Sequence, residues 1–367
     1  MFIKREKKSI YESLILVFDF NRYKKKYIEL FIVLCLGFFI GKMGLIGDTL
    51  YYIKTFSLQL YSYTNPFILK PKKIIIDIKH DDYQLLAYNR HVALQKDVLL
   101  KDNRDFVPAK ITYDGYEYKS KIRLKGDRPD HWNDERKWSF RLKVKNNQTV
   151  LGMREFSINK PQTRGFLNEY IFHKFLKFEN LLAIRYDFID VVLNGNSLGI
   201  YAIEESFDKI LVENNGYREG VVFKFNEDQI WETRGMRTRV EDELYLSSPL
   251  QIFQKLNPEK DSIKFEQFLI SKNLINAFRN SQLKTSQVFN VPKLAKLFAI
   301  TELFGHQHAT LLNNIRFYYN PILSKIEPIG FDNQIIKPVN LDKLYINKKL
   351  SRFWSDIFSD ENFYIEY

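Results

Sequence analysis

Residues 305–332 read GHQHATLLNNIRFYYNPILSKIEPIGFD, and the fold expected for the chain turns on this stretch. His308, Asn313, Asn314 and Asp332 fall within 25 residues, on what reads as a helix end, a loop and two short strands, the second running from Ile326 to Phe331. A proton acceptor, an amide five positions later, a hairpin and then an aspartate is the order in which phosphoryl-transfer loops place their base and metal-holding side chains. Spacing of this kind also arises by chance, so the rest of the chain has to agree with it. A helical stripe, Leu294, Leu297, Phe298, Ile300, Thr301 and Phe304, leads into the stretch.

A chain of 367 residues with 45% hydrophobic and 16% aromatic content can bury a large core, and one or two domains are expected. The net charge of +12 is unevenly spread, because residues 1–26 hold eight Lys or Arg and three acids, which leaves +7 for the rest. No run of Lys and Arg with interleaved aromatics stands out, which argues against a nucleic-acid partner and for a solvated basic surface. The single cysteine, Cys35, leaves the region after it without a disulfide or a thiolate metal site.

In order, 1–26 is a basic segment expected to stay in the cytoplasm. Residues 27–47 read as one transmembrane helix, since Ile28 to Ile46 is interrupted only by Glu29 and Lys42 near its ends. At ~1.5 Å per residue the run gives roughly 28 Å, about the thickness of a bilayer core. Basic flanks on one side place the following domain outside the cytoplasm. Residues 48–73 form an aromatic-rich linker, and 74–367 the folded domain.

Within that domain Ile74 to Ile78 reads as a strand and Asp81 as the cap of a helix through about Lys96. Ala109 to Tyr113, the Asp114-Gly115 turn and Tyr116 to Lys125 read as a hairpin. Lys137 to Val144 alternates cationic and apolar residues, 155–159 is another strand, and Gly165 to Glu179 is a helix with Phe166, Leu167, Tyr170, Ile171 and Phe175 on its buried side. A second hairpin turns at Asn194-Gly195, and Glu219 to Phe225 is one more strand. A sheet-rich first half with one long helix, then a mostly helical second half, predicts an α+β, two-lobed protein-kinase-like fold. Phe353, Trp354, Ile357 and Phe358 have helical spacing, so the chain closes on what reads as the start of a longer helical lobe, or as a fragment.

Several stretches together resemble the CotH kinase family of spore-coat and cell-surface kinase-like proteins. They are KIRLKGD at 121–127, KWSFRLKV at 137–144, TRGFLNEYIFHKFLK at 163–177, VVLNGNSLGIYAIEESFDK at 191–209 and NNIRFYYNPILSKIEPIGFD at 313–332. The resemblance implies a nucleotide such as ATP with Mg²⁺ or Mn²⁺, and phosphoryl transfer to surface or envelope proteins. It also leaves open a catalytically inactive binding or assembly protein of the envelope, or a nucleotidyl transferase on the same fold.

Roles follow from that resemblance. Lys137 is the candidate for the lysine on the nucleotide phosphates, with Arg123, Lys125 and Arg141 beside it, although any strand with one exposed face shows such charges. Glu169 stands where a kinase places the glutamate that pairs with its lysine. Glu204 and Glu205 fall on the segment joining the lobes, as adenosine contacts or as a solvated edge. Asp332, with Asn313 or Asn314, is expected to hold the metal. The family's base is an aspartate, and here that position is His308 or Gln307. No acid lies between Glu302 and Glu327, which puts turnover itself in question.

Overall fold

Ile74 and Ile76 are fully buried and Lys73 exposed, the alternation that makes Lys73–Asp77 a strand, β1. The computed structural model describes residues 71–100, 105–227, 240–254 and 256–367, which all belong to the unit Pro71–Tyr367. Helix α1, His80–Lys96, follows, and then the hairpin β2, Val107–Tyr113, and β3, Tyr116–Leu124. Asp114 and Gly115 turn it with φ of 51° and 79°, the paired positive values that match strand twist. Strands β4, Phe140–Val144, and β5, Glu155–Asn159, lead to helix α2, Asn168–Phe178. A second hairpin, β6, Tyr186–Leu193, and β7, Asn196–Glu205, turns at Asn194-Gly195 with the same signs of φ.

These seven strands close into a barrel in the order β1-β2-β3-β4-β5-β7-β6. Closure comes from β1, which pairs in parallel with β6, Ile74 opposite Val191 and Ile76 opposite Leu193. The interior is filled by Ile76, Ile111, Ile122, Leu142, Phe156 and Tyr201, and Leu86 and Ala93 of α1 join the same core.

After α3, Lys209–Asn214, the chain builds a second sheet. Its strands are β8, Val222–Phe225, β9, Leu250–Ile252, β10, Arg316–Asn320, and β11, Lys325–Ile329, in the order β11-β10-β8-β9. Helices α4, Val240–Ser247, α5, Ser262–Arg279, α6, Thr285–Val288, and α7, Val291–Leu303, lie between β8 and β10, and α8, Arg352–Phe358, and α9, Glu361–Glu366, follow β11. Phe223, Phe289, Phe317 and Ile326 of this region share one core with Leu297 and Phe298 of α7 and with Phe172 and Leu176 of α2.

The two-lobed kinase-like fold expected from the sequence is therefore not the fold adopted. The first half is a closed seven-stranded barrel, because β1 supplies β6 with a partner that an open sheet would lack, and the second half carries a four-stranded sheet of its own. Among the described residues no helix is long and apolar enough to cross a membrane, and the expected span at 27–47 lies outside them.

Helix α2 also differs from expectation. Phe166, Leu167 and Ile171 are exposed, while Glu169, Phe172, His173 and Leu176 are buried. Two polar residues face inward because they bond each other, His173 Nε2 to Glu169 Oε1 at 3.0 Å, and because the glutamate serves the loop after β11.

Candidate functional site

That loop is fixed from both sides of its backbone. Glu169 accepts the N–H of Asp332 on Oε1 at 2.9 Å and the N–H of Gln334 on Oε2 at 3.0 Å. His308 Nδ1 donates to the carbonyl of Asp332 at 2.6 Å, and His306 Nδ1 to that of Asn333 at 2.8 Å. The two imidazoles stack, 5.5 Å between centroids and 24° between planes. These contacts hold Asp332 and Gln334 at φ of 61° and 64°, a left-handed conformation that non-glycine residues rarely adopt. Gly165 lets the loop approach α2, since a methyl group there would lie 2.6 Å from the carbonyl oxygen of Gln334.

Because a carbonyl only accepts, Nδ1 of His308 carries a proton, and in the neutral ring the lone pair is on Nε2. The Asn314 amide donates to the His308 carbonyl at 3.1 Å, and its nitrogen lies 3.0 Å from Nδ1 and 3.3 Å from Nε2. Burial lowers the pKa of His306 below the ordinary histidine value, so that ring is neutral near pH 7.

Charged pairs converge on the same place. Arg164, buried just before α2, lies 3.2 Å from Asp332 Oδ1 in an ion pair without hydrogen-bond alignment. Burial pushes the Asp332 carboxyl above the usual range, against the opposing pull of Arg164 and His308. Burial would lower the pKa of Arg164, but Asp332, Glu204 and Glu169 more than offset this. Lys125 ion-pairs with Glu204 at the end of β7, and burial, reinforced by Arg164 and Arg141, brings its pKa down to about 8. Burial works against the Glu204 charge too, yet Lys125 and Arg164 hold its pKa below the ordinary value.

A cleft of about 600 Å³ runs over this cluster. Of the residues expected from the sequence, Arg123, Lys125, Arg141, Glu204, Glu205, His308, Asn313, Asn314 and Asp332 all line it. Lys137 and Glu169 are not among its lining residues. Lys137 donates to the carbonyl of Ile200 at 2.7 Å and lies over the ring of Tyr201, and burial brings its pKa down to about 8. Among the described residues Glu169 meets no lysine, and its oxygens are taken by His173 and the two loop amides. A buried lysine–glutamate pair that does line the cleft is Lys125 with Glu204. Gln307, the other candidate base, is turned to Glu302 at 3.2 Å and to the carbonyl of Lys343 at 3.0 Å.

Sequence reading missed Arg164, Arg316 and His306. Arg316 opens β10, whose five residues are all buried, and that position was its only signal. It donates to the carbonyl of Asn313 at 2.6 Å and lies 5.3 to 5.9 Å from the rings of Phe207, Phe253 and Phe331. The Nε–H groups of Arg123, Arg164 and Arg316 are buried, and no acceptor among the described residues meets them.

Asp332, Asn313 and Asn314 are the side chains here that could hold a divalent cation. Among the described residues Asp332 Oδ1 is buried and receives no hydrogen bond, and Asn313 and Asn314 line the same cleft. Hard oxygen donors of this sort suit Mg²⁺ or Mn²⁺. Among the described residues no three His, Cys, Asp or Glu side chains are grouped to hold a metal, so further ligands would have to come from amide oxygens, substrate or water.

A family model described as CotH kinase protein matches residues 122–335 of this chain. That span includes Arg123, Lys125, Arg164, Glu204, His308 and Asp332. No curated protein matches the chain.

Proposed function

Because the chain belongs to the CotH kinase protein family, we propose that its cleft binds a nucleoside triphosphate with Mg²⁺ or Mn²⁺ and transfers a phosphoryl group to protein hydroxyls. Envelope or surface proteins are the proposed acceptors. One observation carries the reading: the cleft is lined by buried charged groups whose hydrogen-bonding capacity the described residues leave unmet. Among the described residues the Nε–H groups of Arg123, Arg164 and Arg316 lack acceptors, and Asp332 Oδ1, in an ion pair with Arg164, lacks an aligned donor. Buried groups in that condition cost about 1–3 kcal/mol each, more when charged, and an anionic ligand with its cation would relieve both signs at once.

In this reading Lys125, Arg123 and Arg141 hold the phosphates, and Asp332 with Asn313 or Asn314 holds the metal. The metal would neutralise phosphate charge. Arg164 and Arg316 face the region where charge develops, the largest source of rate in phosphoryl transfer. His308 presents the Nε2 lone pair to the cleft, and Glu169, His306 and the Asp332 carbonyl orient the parts around it.

The test is a thermal shift with ATP and Mn²⁺. Wild type is expected to gain stability only when both are present, and Asp332→Asn to lose that gain, read against its own melting temperature without ligand. Absence of any shift in the wild type at millimolar nucleotide would overturn the reading.

A second reading, a binding or assembly protein without turnover, is favoured by one specific observation. The base position carries no acid, and Gln307 is committed to other partners. Nucleotide-dependent stabilisation with no transfer to any acceptor would support it.

A further inference from the structure

We propose that His308 is itself phosphorylated on Nε2, serving as a covalent carrier between nucleotide and acceptor; this rests on the reading of the cleft as a nucleotide site. With no acid between Glu302 and Glu327, the loop offers no carboxylate to activate an incoming hydroxyl. What it offers is a nitrogen lone pair, and such a lone pair is a nucleophile as well as a base.

The surroundings of the ring suit that use. The hydrogen bond from Nδ1 to the Asp332 carbonyl, 2.6 Å long, fixes the tautomer and leaves Nε2 as the reactive atom. The His306 ring stacks on it and is anchored at 2.8 Å to the next carbonyl, so the imidazole plane is held on one side. Arg164 and Arg316 line the same cleft and can receive phosphoryl oxygens. The Asn314 side-chain nitrogen lies 3.0 Å from Nδ1 and 3.3 Å from Nε2, within reach of a phosphoryl group carried on the ring.

The chemistry balances with the nucleoside triphosphate and the acceptor alone. Nε2 attacks the terminal phosphorus; the N–P bond forms, the bridging P–O bond breaks, and the nucleoside diphosphate leaves with the electron pair. The ring keeps its Nδ1 proton and becomes cationic. The Asp332 carbonyl accepts that proton's hydrogen bond, and Asp332 Oδ1, 3.7 Å from Nδ1, faces the new charge. An acceptor hydroxyl then attacks phosphorus, the N–P bond breaks with its electrons returning to Nε2, and the hydroxyl proton passes to water. A ring that stays protonated on Nδ1 is a neutral leaving group, so the carbonyl contact serves both steps.

The experiment incubates the full chain with ATP labelled in its terminal phosphate and Mn²⁺, quenches in alkali, and maps the label by mass spectrometry. Wild type is expected to carry label that survives base and is lost in acid, the signature of a phosphoramidate, located at residue 308. His308→Gln retains a donor for the Asp332 carbonyl but has no nucleophilic nitrogen, and is expected to lose the label while keeping the nucleotide-dependent thermal shift. If that variant does not fold, the mapped position in wild type decides by itself. Wild type that binds nucleotide and metal yet gains no acid-labile label, or gains acid-stable label or label at another residue, overturns the carrier role alone. No nucleotide-dependent shift in wild type overturns the underlying reading and the carrier role with it.

Discussion

Glu169 and Asp332 stand 163 positions apart, and the carboxylate of the first accepts the backbone N–H of the second at 2.9 Å. The glutamate that a kinase would pair with a phosphate-binding lysine here holds a loop backbone instead, and the geometry of Asp332 depends on it.

Glu169→Ala should therefore cost about 2–5 kcal/mol in urea unfolding, because it leaves two amides of the loop without an acceptor at the buried end of α2. Glu169→Gln, which keeps one acceptor oxygen, should cost less. Burial alone would raise the Glu169 pKa, but His173, Arg164 and the Gln334 N–H lower it overall. The charged form is thus favoured by folding, and its contribution is present above the unfolded value of ~4.3 and lost as pH falls through the folded one. The stability gap between wild type and Glu169→Gln should shrink as pH is lowered through that window. A gap that stays constant would mean that the charge does not matter.

The Lys125–Glu204 pair is buried on both sides, so removing one partner strands the other. Lys125→Met should destabilise by about 3–5 kcal/mol, and adding Glu204→Leu should recover part of that loss. Simple additivity in the double-mutant cycle would contradict a coupled pair. The Lys125 pKa of about 8 lies below the unfolded value of ~10.4, so folding disfavours its proton. Wild-type stability should gain from this group as pH rises between those values, and Lys125→Met should lack the gain.

Lys137 and Arg123 separate the alternation of a strand from the location of a site. Lys137 was read from a cationic strand face and Arg123 as its neighbour, but Arg123 lines the cleft while Lys137 is bonded to Ile200 and is not among the lining residues. Lys137→Ala should leave nucleotide affinity in isothermal titration unchanged, and Arg123→Ala should weaken it by about tenfold, the ~1.4 kcal/mol of one charge-assisted contact. Equal losses in both would return Lys137 to the phosphate site.

Local signals survived the passage from sequence to structure, and non-local ones did not. The two hairpins were legible because Asp114-Gly115 and Asn194-Gly195 demand positive φ at both turn positions. Strand 155–159 was legible within its own few residues. Barrel closure was not, since the parallel pairing of Ile74 with Val191 spans more than a hundred residues and leaves no mark in either strand. The buried face of α2 was misread because apolar periodicity gives Glu169 and His173 no weight, although their mutual bond and the loop amides make burial favourable. His308, Asn313, Asn314 and Asp332 were found from spacing along one short stretch. Arg164 reaches the same cleft from a distant segment, and only the fold brings it there.

Gly165 tests whether the loop after β11 can be disturbed without unfolding the barrel. Its φ is 61°, and an added methyl group would meet the Gln334 carbonyl oxygen at 2.6 Å and the Asn168 side-chain nitrogen at 2.5 Å. Gly216 has a similar φ of 77° with nothing near such a methyl group, so Gly216→Ala reports the backbone conformation alone, about 1–2 kcal/mol. Gly165→Ala should cost more than Gly216→Ala, and the excess should appear at the site. Moving the Gln334 carbonyl displaces the two amides that Glu169 holds, and with them the carboxylate of Asp332. Metal-dependent nucleotide stabilisation should then be lost in Gly165→Ala and kept in Gly216→Ala, with far-ultraviolet circular dichroism unchanged in both. If Gly165→Ala binds nucleotide and metal like wild type, the closeness of α2 to this loop has no part in shaping the site.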